Sequence, residues 1–475
     1  MTSKLSNEKI DQERQMVFAD KPLLHLIAPC KINEGILRMS ELEKMRLIHS
    51  FDTKRLDSCF FIPASGSGSR MFQFLYEFKD GSNEDSSAQV ERFFNSINEF
   101  AFAQLFPASI QTKITKQTID FEELVDFLLN DEGLGYGNLP KGLVPFHKSG
   151  SFVLTPFQEH LLQGKHIHTI QPNFHFTIQS QFESQIKDII ASTEKMTGFS
   201  YNVKFSAQSI ESNSLTFHEN GKLCMDQNDE PITRPSGHGA LLPILNELTE
   251  EIIFIKNIDN VQHYNESDLS TETWKFLGGL LIEFKKEAQE VVENPSNDAL
   301  QKLNHNYQLF DNKQIVNLTE PKDIREALNK PSRVCGMVKN SGQPGGGPFW
   351  IERDGKLSKQ IVEKAQISDK EDQLKLLINS THFNPVMIAM TSYSMNNEKM
   401  NLMEYRNDNA YFVVHKQQDG TPILYVEQPG LWNGGMENWN TIFVEIPSET
   451  FSPVKTVLDL LESSHIENLK NKKLH

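Results

Sequence analysis

At 475 residues the chain exceeds one ordinary hydrophobic core, and its 38% apolar residues, with 32 phenylalanines among them, exclude a disordered or fibrous protein and point to roughly two to three domains. Acidic residues outnumber basic ones 63 to 47, and the net charge of −16 argues against nucleic acid or an anionic membrane surface as a partner. No stretch has the length and apolarity of a membrane span, MTSKLSNEKIDQERQ lacks the apolar core of an export signal, and Cys30, Cys59, Cys224 and Cys335 are too scattered for a disulfide framework, so a cytoplasmic protein with buried free thiols is expected.

Apolar residues at helical spacing predict a helical segment over residues 1–55. From Leu56 the texture changes to CFFIPASGSGSRM and then MFQFLYEF, the order strand, Gly/Ser loop, helix, which opens an expected α/β core over 56–265. Residues 80–139 read as a helical insertion in it. Beyond that insertion, strand candidates (GLVPF, NFHFTI, YNVKFSA, EIIFIKNID) alternate with helix candidates (PFQEHLLQG, SQIKDIIASTEKM, GALLPILNELT), the pattern of an α/β sheet whose strand ends gather a site. A charged helical arm is expected over 266–330 and a mixed α+β portion over 331–462. Residues 463–475 read as a basic, solvated tail.

Four short motifs can carry chemistry. Gly66-Ser67-Gly68-Ser69-Arg70 follows an apolar strand, and glycine lets backbone amides approach an oxyanion; by itself such a loop is more often a plain turn. Pro140-Lys141 places a flexible ammonium ahead of an apolar run, suited to phosphate charge but equally at home as a loop lysine. His147, Lys148 and His160 follow without the spacing of a zinc site. Gly237-His238-Gly239 precedes a helix, where it can contact a base or phosphate or merely cap the helix. Asp259, with Asn257 and Asn260, ends an apolar strand and can hold Mg²⁺ against phosphate oxygens; the plain alternative is a turn aspartate.

Taken in order, these motifs resemble the UDP-sugar pyrophosphorylases, a group of GT-A-like, Rossmann-like nucleotidyltransferases, in a branch of bacterial type. The resemblance adds Gln208 in KFSAQ, Lys455 in FSPVKTVLDLL, Glu363 in QIVEKAQ and Asn384 in THFNPV, and spans residues 58 to 461 with insertions. It implies an in-line attack of a sugar 1-phosphate on the α-phosphorus of a nucleoside triphosphate, UTP by expectation, with release of pyrophosphate. Arg70, Lys141 and Lys455 are then the catalytic cations. Gly66, Ser67, Gly68, Ser69, Gln208, Gly237 and His238 bind the nucleotide, Glu363 and Asn384 the sugar, and Asp259 the Mg²⁺. The sequence departs from the family where Ser69-Arg70 ends the loop and where Ala240 stands in place of an aspartate. QPGGGPFW (Gln343 to Trp350) has no assignable counterpart. Two rival readings remain: a GT-A glycosyltransferase, for which IKNIDN supplies only one aspartate of a DxD motif, and a catalytically silent nucleotide-binding scaffold. Oligomeric state is not indicated.

Overall fold

The computed structural model describes residues 7–467, apart from 82–86, 168–170, 209–211, 341, 343–345, 354 and 419. The architecture is mixed α/β. Packing divides the chain along other lines than its linear texture, into one unit of Met1–His49, Gln208–Ile252 and Leu277–Ile446, and another of Ser50–Ala207, Ile253–Phe276 and Pro447–His475.

In the second unit the strands Ser58–Pro63, Asn173–Thr177 and Asn202–Ser206 pair in parallel, and Ile252–Lys256 lies beside Ser58–Pro63. Phe60, Phe61, Ile62, Phe174, Phe176, Ile253, Phe254 and Ile255 are all buried, as expected for strands covered on both faces. Helices Pro156–Ile167 and Glu183–Thr197 connect them, the second ending on Gly198 in the left-handed conformation (φ 65°). The expected strand at GLVPF is absent, and Lys141–Leu143 forms one turn of 3₁₀-helix instead. Gly142 packs so closely on Phe157 that a Cβ there would come within 2.6 Å of the ring, which fixes this turn against its neighbouring helix.

The insertion is helical, as its sequence predicts, with helices Ser87–Asn95, Ala108–Thr115 and Phe121–Leu129. Much of the chain's phenylalanine is spent here: Phe72, Phe74, Phe93, Phe100, Phe102 and Phe106 share one core with Leu124, Leu128 and Tyr136. The same core takes in Val261, Val454, Val457 and Leu458, so it also anchors the segments that carry Asp259 and Lys455. Phe93 is fully buried, with ring centroids 5.2 Å from Phe100 and 6.0 Å from Phe74. Phe93→Ala should cost about 3–5 kcal/mol of stability in urea denaturation, the usual range for deleting a buried aromatic ring.

In the first unit, parallel pairings join Lys31–Ile32, Gly35–Leu37, Asn440–Glu445 and Ser332–Lys339, and Met387–Thr391 adds an antiparallel neighbour. A second sheet is the antiparallel set His25–Pro29, Gly347–Arg353 and Lys356–Val362. Residues 1–55 are therefore not purely helical. Helices Asn7–Phe18 and Glu41–Thr53 flank short strands, of which His25–Pro29 and Gly35–Leu37 pair with partners more than three hundred positions away and so leave no local periodicity to read. The expected helices of 266–330 are present as Asp268–Glu293, Asn297–Tyr307, Asn312–Asn317 and Pro321–Leu328. At the C-terminal end the solvated-tail expectation needs correction for its first residues, because Ser463–His465 is a 3₁₀ turn and His465 is buried. Residues 468–475 of that tail lie outside the described residues.

Candidate active site

The loop after Ser58–Pro63 meets the Pro140-Lys141 segment directly, despite the insertion between them. Gly68 N–H donates to the Leu139 carbonyl (2.8 Å), and Lys141 N–H donates to the Gly66 carbonyl (2.9 Å). Gly68 is required by this approach, since a Cβ would sit 2.9 Å from the Leu139 oxygen; Gly66 has open space around it. The Ser67 and Ser69 hydroxyls hydrogen-bond each other at 2.8 Å, the Ser69 amide donates to Ser67 Oγ (3.2 Å), and Ser69–Phe72 continues as a 3₁₀ turn that carries the exposed Arg70.

Asp259 follows Ile252–Lys256 and is held against the C-terminal segment. Val454 N–H donates to the Asp259 carbonyl (3.0 Å), and Ser452 N–H donates to Asn260 Oδ1 (2.9 Å). Lys141 Nζ donates to Asp259 Oδ2 (3.0 Å) and to the Val454 carbonyl (2.8 Å), while Lys455 Nζ donates to the same Oδ2 at 3.3 Å. Three separate sequence motifs thus supply one cluster of two ammonium groups and a carboxylate, with Arg70 adding positive charge near Lys141.

Burial lowers the Lys141 ammonium below its ordinary value and Lys455 and Arg70 push the same way; Asp259 alone holds it up. Burial by itself would raise the Asp259 carboxyl, but Lys141 and Lys455 outweigh it and keep the group below the usual carboxylate range. Lys455 is the exposed member of the pair, 59% accessible against 13% for Lys141. One ammonium is therefore fixed, and the other is placed to reach solvent.

This donor set does not fit a resident magnesium ion. Mg²⁺ prefers near-octahedral oxygen ligation through one or two carboxylates with phosphate and water, whereas Asp259 already carries two ammonium groups on Oδ2. No group of three His, Cys, Asp or Glu side chains suited to a metal occurs among the described residues. Asp259 is placed as the internal counter-charge of the two lysines.

Other predicted residues belong to the first unit. His238 stacks on Trp432 with ring centroids 4.1 Å apart and accepts the Leu431 N–H at Nδ1 (2.8 Å). Burial pulls it down to about 4, so it is neutral at pH 7, and its proton must then sit on Nε2, 4.0 Å from Glu363 Oε1. Gly237 takes φ 75°, and a Cβ there would crowd the Glu427 side chain at 3.0 Å. His238, Glu363, Gln366, Tyr411, Val414 and Glu427 line a cavity of ≈730 Å³. Burial raises the Glu363 carboxyl, Asn433 opposes it, and Glu427 adds to it.

Asn384 is buried beside Gly346. Its N–H donates to the Gly346 carbonyl (2.9 Å), its Oδ1 accepts from Val386 N–H (2.9 Å), and its Nδ2 has no hydrogen-bond partner. A Cβ on Gly346 would lie 2.6 Å from Ile361 Cγ2 and 3.5 Å from Glu363 Cγ, so this glycine of the QPGGGPFW motif lets Asn384 and Glu363 flank one backbone position. Gln343, Pro344 and Gly345 lie outside the described residues. Gln208 follows Asn202–Ser206, with a buried Nε2 that finds no partner.

Sequence reasoning missed a second polar cluster in the unit that holds Lys141. His147 is fully buried between Glu159 (Nδ1 to Oε1, 2.6 Å) and His465 (Nε2 to Nδ1, 2.8 Å), with the His263 ring centroid 5.5 Å away. Burial holds both histidines neutral, so one ring nitrogen donates and the other accepts between them; with His147 Nε2–H as the donor to His465, His147 Nδ1 accepts from a protonated Glu159. Burial raises Glu159 to about 8, in agreement with that proton position. The chain of hydrogen bonds ties the Lys455-bearing segment to the strand His147–Ser149 just beyond Lys141. Each residue was visible, but nothing in their spacing announced the contact.

The sequence matches, over residues 1–466, the model of a family described as a domain of unknown function, DUF4301. The chain belongs to that family. No curated protein matches this DUF4301 sequence. Solved structures similar to it include UDP-glucose phosphorylase from Trypanosoma brucei, at 12% identity and a TM-score of 0.45, covering 93% of this chain and 71% of that one. Another is an Entamoeba histolytica protein provisionally described as UDP-N-acetylglucosamine pyrophosphorylase, at 13% identity and a TM-score of 0.47, covering 92% of this chain and 84% of that one. No helix of the described residues is long and apolar enough to cross a membrane.

Proposed function

We propose that this DUF4301 chain is a nucleotidyltransferase that joins a nucleoside triphosphate, with UTP the expected one, to a sugar 1-phosphate and releases pyrophosphate. The observation that carries the reading is the convergence of Lys141, Lys455 and Asp259 beside the Gly66–Arg70 loop, since two ammonium groups sharing one carboxylate hold surplus positive charge for a polyphosphate. That convergence also favours an active enzyme over a silent scaffold. A scaffold has no use for two ammonium groups held on one carboxylate.

In this reading no covalent intermediate forms. An oxygen of the sugar 1-phosphate attacks the α-phosphorus, and the bond to the bridging oxygen of pyrophosphate breaks. Lys141, held by Asp259 and the Val454 carbonyl, fixes one phosphate, and Lys455 swings from Asp259 onto the departing pyrophosphate. Arg70 and the loop amides take the remaining phosphate oxygens. Magnesium enters as part of the nucleoside triphosphate substrate. The cavity of the first unit has ligand-binding groups of its own: neutral His238, its ring backed by Trp432, offers an Nε2–H donor, and Glu363 can receive hydroxyls.

The test is pyrophosphate release from each common nucleoside triphosphate with a panel of sugar 1-phosphates, with magnesium present. Release with one pair that requires both substrates supports the proposal, and no release from any pair contradicts it. A second expectation isolates Asp259. With its competing charge removed, Asp259→Asn should bind pyrophosphate about tenfold more tightly than wild type in metal-free buffer, a modest share of the several kcal/mol that a unit charge exerts at this range. Weaker binding in calorimetry would show that Asp259 is not a counter-charge.

A further inference from the structure

A second concentration of positive charge lies in the first unit, in a cavity of ≈330 Å³ lined by Lys330, Arg353, Lys356 and Lys359. In a chain of net charge −16, the carboxylate on this lining is Glu437, already paired with Arg353 (Nη1 to Oε1, 2.9 Å). Lys359 is buried on the strand Lys356–Val362. Its Nζ donates to the Gly35 carbonyl (3.2 Å) and lies 5.2 Å from the centre of the Phe443 ring. Burial lowers it to about 8. Among the described residues, no carboxylate pairs with Lys330 or Lys356. Burial lowers Lys330, and the nearby Lys356 ammonium lowers it further. Trp439 also lines the cavity, with a buried indole N–H that has no hydrogen-bond partner.

Lys330 and Lys356, two cations that repel one another, form a surface that an acceptor-rich anion would satisfy. The cavity is separate from the His238 cavity. Lys356 starts the strand whose far end leads into Glu363, a separation of about 23 Å for an extended chain of seven residues. Asn440 and Thr441, also on its lining, begin the strand Asn440–Glu445, so the cavity opens at the N-terminal ends of the parallel strands.

We propose that this cavity is a second anion site, which binds a small ligand through a phosphate group held by Lys330 and Lys356. It goes beyond the transferase reading and does not depend on it. The strand Lys356–Val362 joins the two cavities and gives a bound phosphate a direct connection to Glu363.

Calorimetric titration with inorganic phosphate, and in parallel with phenyl phosphate, separates free phosphate from a phosphate ester. Lys330→Gln/Lys356→Gln alters partly exposed side chains and is expected to fold. Wild type should bind at two sites, and the double variant should lose one of them or weaken it at least tenfold. Lys141→Met should retain the Lys330/Lys356 site. Tighter binding of phenyl phosphate than of phosphate would make an ester the natural ligand, and the reverse order would favour free phosphate. If the double variant binds both probes with wild-type stoichiometry and affinity, the second site does not exist. If the double variant loses all binding while Lys141→Met loses none, this site stands and the phosphate role of Lys141 falls.

Discussion

Lys141→Met is expected to lower pyrophosphate and nucleoside triphosphate affinity by at least a hundredfold, about 3 kcal/mol, the range found when one preorganised donor to phosphate or oxyanion charge is removed. Two features make the loss large. Its Nζ is fixed by two acceptors, Asp259 Oδ2 and the Val454 carbonyl, so the ammonium is held in position before substrate arrives. It is also nearly buried, where a charge is screened far less than at the surface. Lys455→Met should cost less, about tenfold, because Lys455 is mostly exposed and makes one of the two contacts to Asp259. Calorimetry on both variants checks the order. An equal or reversed ranking would move the phosphate contact from Lys141 to the exposed lysine. Thermal unfolding controls for damage, since Lys141→Met leaves the buried Asp259 with Lys455 alone as a countercharge.

The buried histidine chain gives the second large effect, in the stability of the unit that holds Lys141. His147 lies well below the ordinary histidine value and His465 at about 3, both through burial first and neighbouring histidines second. A histidine lowered in the folded state binds more protons when unfolded. Its contribution is therefore fully present above about pH 6.5, and is lost progressively as pH falls toward the folded value. Each such histidine should remove about 1.4 kcal/mol per pH unit below 6.5, and the pair about twice that. Glu159 has the opposite sign: raised to about 8, it contributes stability that is fully present below its ordinary value and lost as pH rises to 8, so between those values it offsets one histidine. Lys256, fully buried nearby and lowered to about 7 by burial against the pull of Glu159, loses its contribution as pH falls from its ordinary value to 7 and adds nothing to the slope below 6.5. Urea denaturation at a series of pH values should show a steep fall below 6.5. His465→Asn, which keeps a carbonyl acceptor near the position of Nδ1, should reduce that slope by one histidine's share, about 1.4 kcal/mol per pH unit. An unchanged slope would mean that the histidine chain does not set acid stability.

The fold and the site were legible to different depths. The strand, loop and helix order around Gly66 was readable because an apolar run ending in Gly and Ser is a local signal. So was the alternation from 140 onward, apart from GLVPF, where Gly142 must pack on Phe157 and the chain turns rather than extends. The strands at His25–Pro29 and Gly35–Leu37 were not readable, because their partners are Gly347–Arg353 and Asn440–Glu445. Lys141 and Lys455 were singled out, but their meeting on Asp259 Oδ2 is a property of tertiary packing. The sequence suggested a metal ligand at Asp259, and gave no sign of the two ammonium groups that meet on its Oδ2. His465 sat in what reads as a polar tail. Only packing of Val457 and Leu458 into the aromatic core brings that segment back to His147.

The most direct measurement of the central claim follows the α-phosphate of the nucleoside triphosphate. With α-labelled UTP, magnesium and a panel of sugar 1-phosphates, the account predicts that label appears in a nucleoside diphosphate sugar, that pyrophosphate forms in equal amount, and that Lys141→Met abolishes both. Label that stays in the triphosphate with every sugar tried, or appears only as nucleoside monophosphate, would contradict it.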